Sequence, residues 1–100
     1  MSEQEIERLQ QIESNLSQTI SQKQGYQQSI HDIDSALKQL EDKDEAYQIV
    51  GTIMVKKSSE DIRGDLEEKK NIYSQRLEAL KRQEKALREE VQKLQESALG

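Results

Sequence analysis

Apolar residues in the first forty positions of this chain recur at alternating steps of three and four. With Leu9 as heptad position a and Ile12 as d, the seam positions are Leu9, Ile12, Leu16, Thr19, Lys23, Tyr26, Ile30, Ile33, Leu37 and Leu40, eight of them apolar. The residues between are almost all polar. This spacing gathers the apolar groups on one narrow stripe, which a helix can bury only against another helix. Ser2, with Glu5 three residues later, supplies the capping-box pattern that starts such a helix. Thr19 and Lys23 interrupt the stripe near Gly25. The Lys stem is expected to pack while its ammonium reaches water, and a helical Gly costs about 1 kcal/mol relative to Ala. A flex point in a long arm is the other reading of this stretch.

The rest of the 100 residues supplies the partner. The heptad stops at Glu41-Asp42-Lys43-Asp44-Glu45, and Ala46 to Lys57 is different in kind. Tyr47, Ile49, Val50, Thr52, Ile53 and Val55 cluster there around Gly51. β-branched and aromatic residues on both sides of a Gly predict two short strands and a turn. Ser58, with Asp61 three residues on, then caps a second periodic segment. Its d positions are Leu66, Tyr73, Leu80, Leu87 and Leu94; its a positions are Lys70, Leu77, Glu84, Val91 and Ala98. Ile62, Ile72, Ala79 and Ala86 are expected to broaden that stripe.

The expected fold is mainly α: a long antiparallel coiled-coil helical hairpin with a short two-stranded β-hairpin at the connecting end. It forms a single domain over 1–100, with the first helix over 2–43, the β-hairpin over 46–57 and the second helix over 58–99. Each helix would be about 60 Å long at about 1.5 Å per residue. Pairing residue i with roughly 101 − i sets Glu13 near Arg88, and Glu3, Glu5 and Glu7 against the end that holds Lys93. Exposed pairs are worth about 0–1 kcal/mol each, so charge supports the register more than the stability.

Composition narrows the function. Charged residues make up 35% and apolar residues 32%, with three Tyr and no Phe or Trp, too little bulk for a globular core. No Pro and a surplus of Glu, Gln, Lys and Leu favour long helices over disorder. The net charge of −5 argues against nucleic acid as a partner. No apolar run approaches a membrane span. The acidic N-terminus lacks the order of a signal peptide, so the chain is expected to be cytoplasmic and unprocessed, with no tail after Leu99-Gly100. Without Cys, and with His31 alone at a solvent-facing b position, no metal site is expected. The chain also lacks a phosphate-binding loop and any pocket-forming segment to shift a carboxylate pKa. Neither a cofactor nor an enzymatic activity is therefore expected.

A lone two-stranded ribbon is marginal in water and its edges invite other strands. Ile49, Val50, Ile53, Met54 and Val55 make sense there only if other chains complete a sheet, so oligomerisation through the hairpin is expected. Tyr47 and Gly51 belong to the same interface element.

The run Ala46-Tyr47-Gln48-Ile49-Val50-Gly51-Thr52-Ile53-Met54-Val55-Lys56 resembles the hairpin of archaeal prefoldin β subunits. Leu66-Glu67-Glu68-Lys69-Lys70 and Leu80-Lys81-Arg82-Gln83-Glu84 extend the similarity, which covers about residues 46–94. The resemblance implies a hexamer of two α-type and four β-type subunits whose hairpins form inter-subunit β-barrels. It further implies an ATP-independent chaperone that holds unfolded clients at its coiled-coil tips and passes them to a group II chaperonin. The tips would here be the chain ends, with Ile6, Leu9 and Ile12 facing Val91, Leu94 and Leu99. Whether these residues meet clients or only finish the seam is left open by the spacing. The short N-terminus leaves fewer residues at the tip than the family has. Two other readings share the hairpin and arms: a structural coiled-coil adaptor without clients, and a helical-arm nucleic-acid module. The second predicts a basic stripe, whereas the only short basic pair near the turn is Lys56-Lys57.

Overall fold

The computed structural model describes residues 1–99; Gly100, the last residue of the expected domain, lies outside the described residues. The element order is α1 (Glu3–Leu40), β1 (Glu45–Val50), β2 (Ile53–Ser58) and α2 (Ser59–Leu99). The expected capping box is formed: Glu5 N–H donates to Ser2 Oγ, and Ser2 N–H donates to Glu5 Oε1, both at 3.1 Å. The same bonds hold the Glu5 carboxyl below its ordinary range, the backbone bond from Ser2 contributing most.

α1 stops at Leu40, short of the expected residue 43. Asp42 takes a left-handed conformation (φ 65°), which ends the helix, and Lys43 N–H turns back to the Leu40 carbonyl at 3.1 Å. Asp is among the few non-glycine residues that tolerate this region. Ser58 caps α2 through a 3.2 Å bond from Asp61 N–H. Ser59 N–H donates to the Asp44 carbonyl at 2.9 Å, which ties the start of α2 to the start of β1.

The chain divides into two compact units. The first spans Gln27–Gln75 and contains the whole hairpin. β1 and β2 pair antiparallel, from Glu45 opposite Ser58 to Val50 opposite Ile53. Gly51 opens the two-residue turn at φ 62°, the sign a type II′ hairpin turn requires at its first central position. Ile33, Leu40 and Ile62 are buried, with Leu37 and Leu66 half-buried beside them. Lys70 pairs with Asp34 at 2.6 Å between the two helical segments of this unit.

The second unit holds Met1–Tyr26 and the residues from Arg76 onward. Its seam is Leu9, Ile12, Leu16, Thr19 and Lys23 against Leu77, Leu80, Glu84, Leu87, Val91 and Leu94. All are buried or half-buried, and Ile12 is 0% exposed. Ile72, Ala79 and Ala86 do not broaden the seam as expected, because each precedes a d residue by one position and so points outward to solvent. Arg88 turns back one helical turn to Glu84 at 3.3 Å, and no ion pair between Arg88 and Glu13 forms among the described residues. Arg8 pairs instead with Glu90.

Gly25 and Gly64 lie within the helices and have nothing within 4 Å of where a Cβ would stand. Gly25→Ala and Gly64→Ala are each expected to raise the unfolding free energy by about 1 kcal/mol in a urea titration. Gly51→Ala should lower it by about 1–2 kcal/mol, since its positive φ penalises any Cβ. A loss of stability on replacing Gly25 would show that glycine is required there.

Candidate functional site

Strand alternation sends successive side chains to opposite faces of the hairpin. Tyr47, Ile49 and Met54 share one face, and the directly opposed pair Ile49 and Met54 forms its centre. Val50 and Ile53, opposed beside the turn, point to the other face. All five remain 51–71% exposed, so the hairpin presents apolar side chains on both faces. Val55 differs: it is half-buried and opposite the half-buried Gln48. Of the residues expected to form an oligomer interface, the structure therefore leaves five large apolar ones uncovered. Gly51 sits exposed between them as the turn.

At the foot of the hairpin lies a groove of about 380 Å³, lined by Leu40, Ala46, Tyr47, Ile62 and Leu66 with Lys43 and Glu45. Lys56 pairs with Glu45 at 2.8 Å and Lys57 with Asp65 at 3.7 Å. Both are well exposed, so they add little stability.

The six residues expected at the arm ends split by exposure. Leu99 is 90% and Ile6 43% exposed, and these are the two that fall outside the a/d frame. Leu9, Val91 and Leu94 are half-buried in the seam, and Ile12 is fully buried. Met1 adds a further exposed apolar group. The uncovered apolar surface at the chain ends is therefore that of Met1, Ile6 and Leu99, with Leu9, Val91 and Leu94 partly exposed in the seam.

One feature escaped the sequence reading. Lys23 does not send its ammonium to water; Nζ lies 2.8 Å from Glu84 Oε1 across the seam, with both side chains mostly covered. The ion pair with Lys23, followed by Arg88, holds the Glu84 carboxyl below its ordinary range. Lys23 and Glu84 both occupy a positions, which was the available signal. The assumed register hid it, because 101 − i sets Lys23 near Glu78. Next to this layer, Thr19 is buried at 2% exposure and satisfies its hydroxyl on the Asn15 carbonyl at 2.8 Å. One turn further on, Arg76 donates to the Tyr26 hydroxyl at 3.3 Å.

Among the described residues, no helix is long and apolar enough to cross a membrane. Comparison with known proteins gives a consistent result. A family model described as a prefoldin subunit matches residues 3–98. The chain is 37% identical over 87 residues to prefoldin subunit beta of Archaeoglobus fulgidus, covering 84% of this chain and 75% of that one. It is 35% identical to the protein of the same name from Pyrococcus abyssi, covering 86% of this chain and 76% of the relative. The crystal structure of the prefoldin beta subunit from Thermococcus strain KS-1 superposes with a TM-score of 0.85 at 31% identity. That match covers 93% of this chain and 84% of the solved one.

Two outcomes follow from this geometry. Val50→Asp or Ile53→Asp is expected to abolish assembly, because a sheet interface would bury an unpaired charge; native mass spectrometry reads the result. An unchanged mass for both variants would remove the hairpin as the docking element. Separately, a carboxylate with a depressed folded pKa contributes stability that is present above about pH 5 and lost progressively below it. Wild type is therefore expected to lose more stability than Glu84→Gln between pH 7 and pH 3, as measured by urea titrations at each pH.

Proposed function

The chain belongs to the prefoldin family, and from that premise we propose that it is a β-type subunit of an ATP-independent holdase. Family membership makes it a prefoldin-type chaperone subunit, in a family of chaperone subunits rather than enzymes. The finer reading is that its hairpin completes a β-barrel with α-type subunits and further copies of itself, in a two-to-four hexamer. The arm ends then hold unfolded clients and deliver them to a group II chaperonin in the cytoplasm.

The observation that carries the assembly reading is the hairpin's exposed apolar cluster, Tyr47, Ile49, Val50, Ile53 and Met54. Two strands with apolar side chains on both faces and two free edges need further strands to become stable. Gly51 contributes the tight turn that keeps the pair in register. The client reading is supported by Ile6 and Leu99, apolar and exposed in the unit that contains both chain ends. Leu9, Ile12, Val91 and Leu94 continue that apolar surface into the seam. A holdase of this kind requires neither nucleotide nor metal, only apolar surface that an unfolded chain can share.

The test is light scattering of a guanidinium-denatured reporter enzyme diluted into nucleotide-free buffer. The chain assembled with an α-type prefoldin subunit is compared with an assembly whose copies lack residues 1–10 and 91–100. The expected outcome is that the full-length assembly keeps the reporter soluble and the truncated one, of the mass expected for the same stoichiometry, does not. If both assemble and neither suppresses scattering, the chain is a structural adaptor and the holdase reading falls.

A further inference from the structure

In the unit that holds both chain ends, the aliphatic seam residues of α1 are Leu9 and Leu16 at a and Ile12 at d. Between parallel helices, Leu at a with Ile at d favours coils of more than two strands. α2 adds Leu80, Leu87 and Leu94 at d, with Leu77 and Val91 at a. All of these except Ile12 are only half-buried, so the paired helices still show part of their stripes to a further helix. The aliphatic residues alone therefore do not limit an arm to two helices.

The charged layer does. Lys23 and Glu84 both sit at a positions, and Nζ meets Oε1 at 2.8 Å across the seam. Their side chains keep 22% and 16% of their surface exposed, an outlet to water at the flank of a two-helix coil. In a bundle of more helices the a positions turn into an enclosed core, and that outlet closes. Desolvation already offsets much of the attraction in a covered pair, and an apolar pair of similar volume is often at least as stabilising. A single polar a position can fix the helix number of a coiled coil, at a loss of stability. The flank of the seam works in the same sense, since Arg8 of α1 pairs with Glu90 of α2. In each of these two pairs the cation comes from α1 and the anion from α2. Two α1 helices laid side by side in parallel would oppose Lys23 to Lys23, and two α2 helices would oppose Glu84 to Glu84.

We propose that the Lys23–Glu84 layer keeps each arm a two-helix coil by excluding the arms of other copies of this chain from its seam. This rests on the assembly reading above, because hairpins that join several copies raise the effective concentration of one arm at another. Half-buried aliphatic stripes at such a concentration would otherwise merge into larger bundles. The layer lowers the stability of the single arm somewhat and makes every larger bundle bury charge.

The test uses the full-length chain assembled with an α-type prefoldin subunit. It compares wild type, the double variant Lys23→Leu/Glu84→Leu, which makes the layer apolar, and Lys23→Arg, which keeps the ion pair. The chain has no Cys. Gln83→Cys, added to all three at an exposed position beside the layer, therefore reports contact between copies by disulfide formation on oxidation. Native mass follows assembly, and urea titration follows stability. All three are expected to assemble. The double variant should form disulfide-linked dimers of this chain at least tenfold faster than wild type, with a urea midpoint at or above the wild-type value. Lys23→Arg should link as slowly as wild type. Equal linking rates in the double variant and wild type overturn the proposal, as does a Lys23→Arg chain that links as fast as the double variant. A urea midpoint of the double variant below wild type overturns it too, because the layer would then be a stabilising contact. A wild-type chain that does not assemble with the α-type subunit overturns the assembly reading and, with it, the crowding against which the layer acts.

Discussion

Each helix of this chain has one apolar stripe and no other means of leaving water. A stripe about two residues wide per heptad finds cover only against a second stripe of the same period. The antiparallel pairing of α1 with α2 follows, as does the need for a short reversing element between them. Everything else is arranged around that need. Asp42 ends the first helix in a left-handed turn, Ser58 starts the second, and the bond from Ser59 N–H to the Asp44 carbonyl closes the connection. The hairpin spends its β-branched residues on a surface that the helices do not cover.

That division of labour separates two problems within one small chain. In the unit containing the hairpin, the helical pair buries Ile33, Leu40 and Ile62 and leaves the strands uncovered. In the unit containing the chain ends, Ile12 and Thr19 are buried, the rest of the seam is half-buried, and its polar residues are paired across it or satisfied locally. Exposed apolar surface in the first unit suits permanent association, because strand edges and both hairpin faces ask for cover together.

Much of this was legible in the sequence because the signals were local. The capping box at Ser2, the cap at Ser58, the heptad from Leu9 to Leu40 and the β-rich run around Gly51 each read within a few residues. What was missed depended on how the two helices slide past each other. The expected register set Lys23 near Glu78 and so hid its reach to Glu84, and Arg88 pairs within its own helix. Ile72, Ala79 and Ala86 were expected to broaden the stripe although the d residue next to each already directed it outward, a local signal that was passed over. For the arm ends, membership of the a/d frame separated buried Ile12 from exposed Ile6 and Leu99, which heptad position alone can do.

The hairpin's two apolar faces have a consequence for the life of the chain before it finds its neighbours. An unaccompanied copy displays sticky strands with open edges, the features that mark nascent or damaged proteins as liable to aggregate. Synthesis out of balance with its partners would turn surplus copies into a burden on protein quality control. Until its strands are covered, such a subunit is itself a candidate for protection.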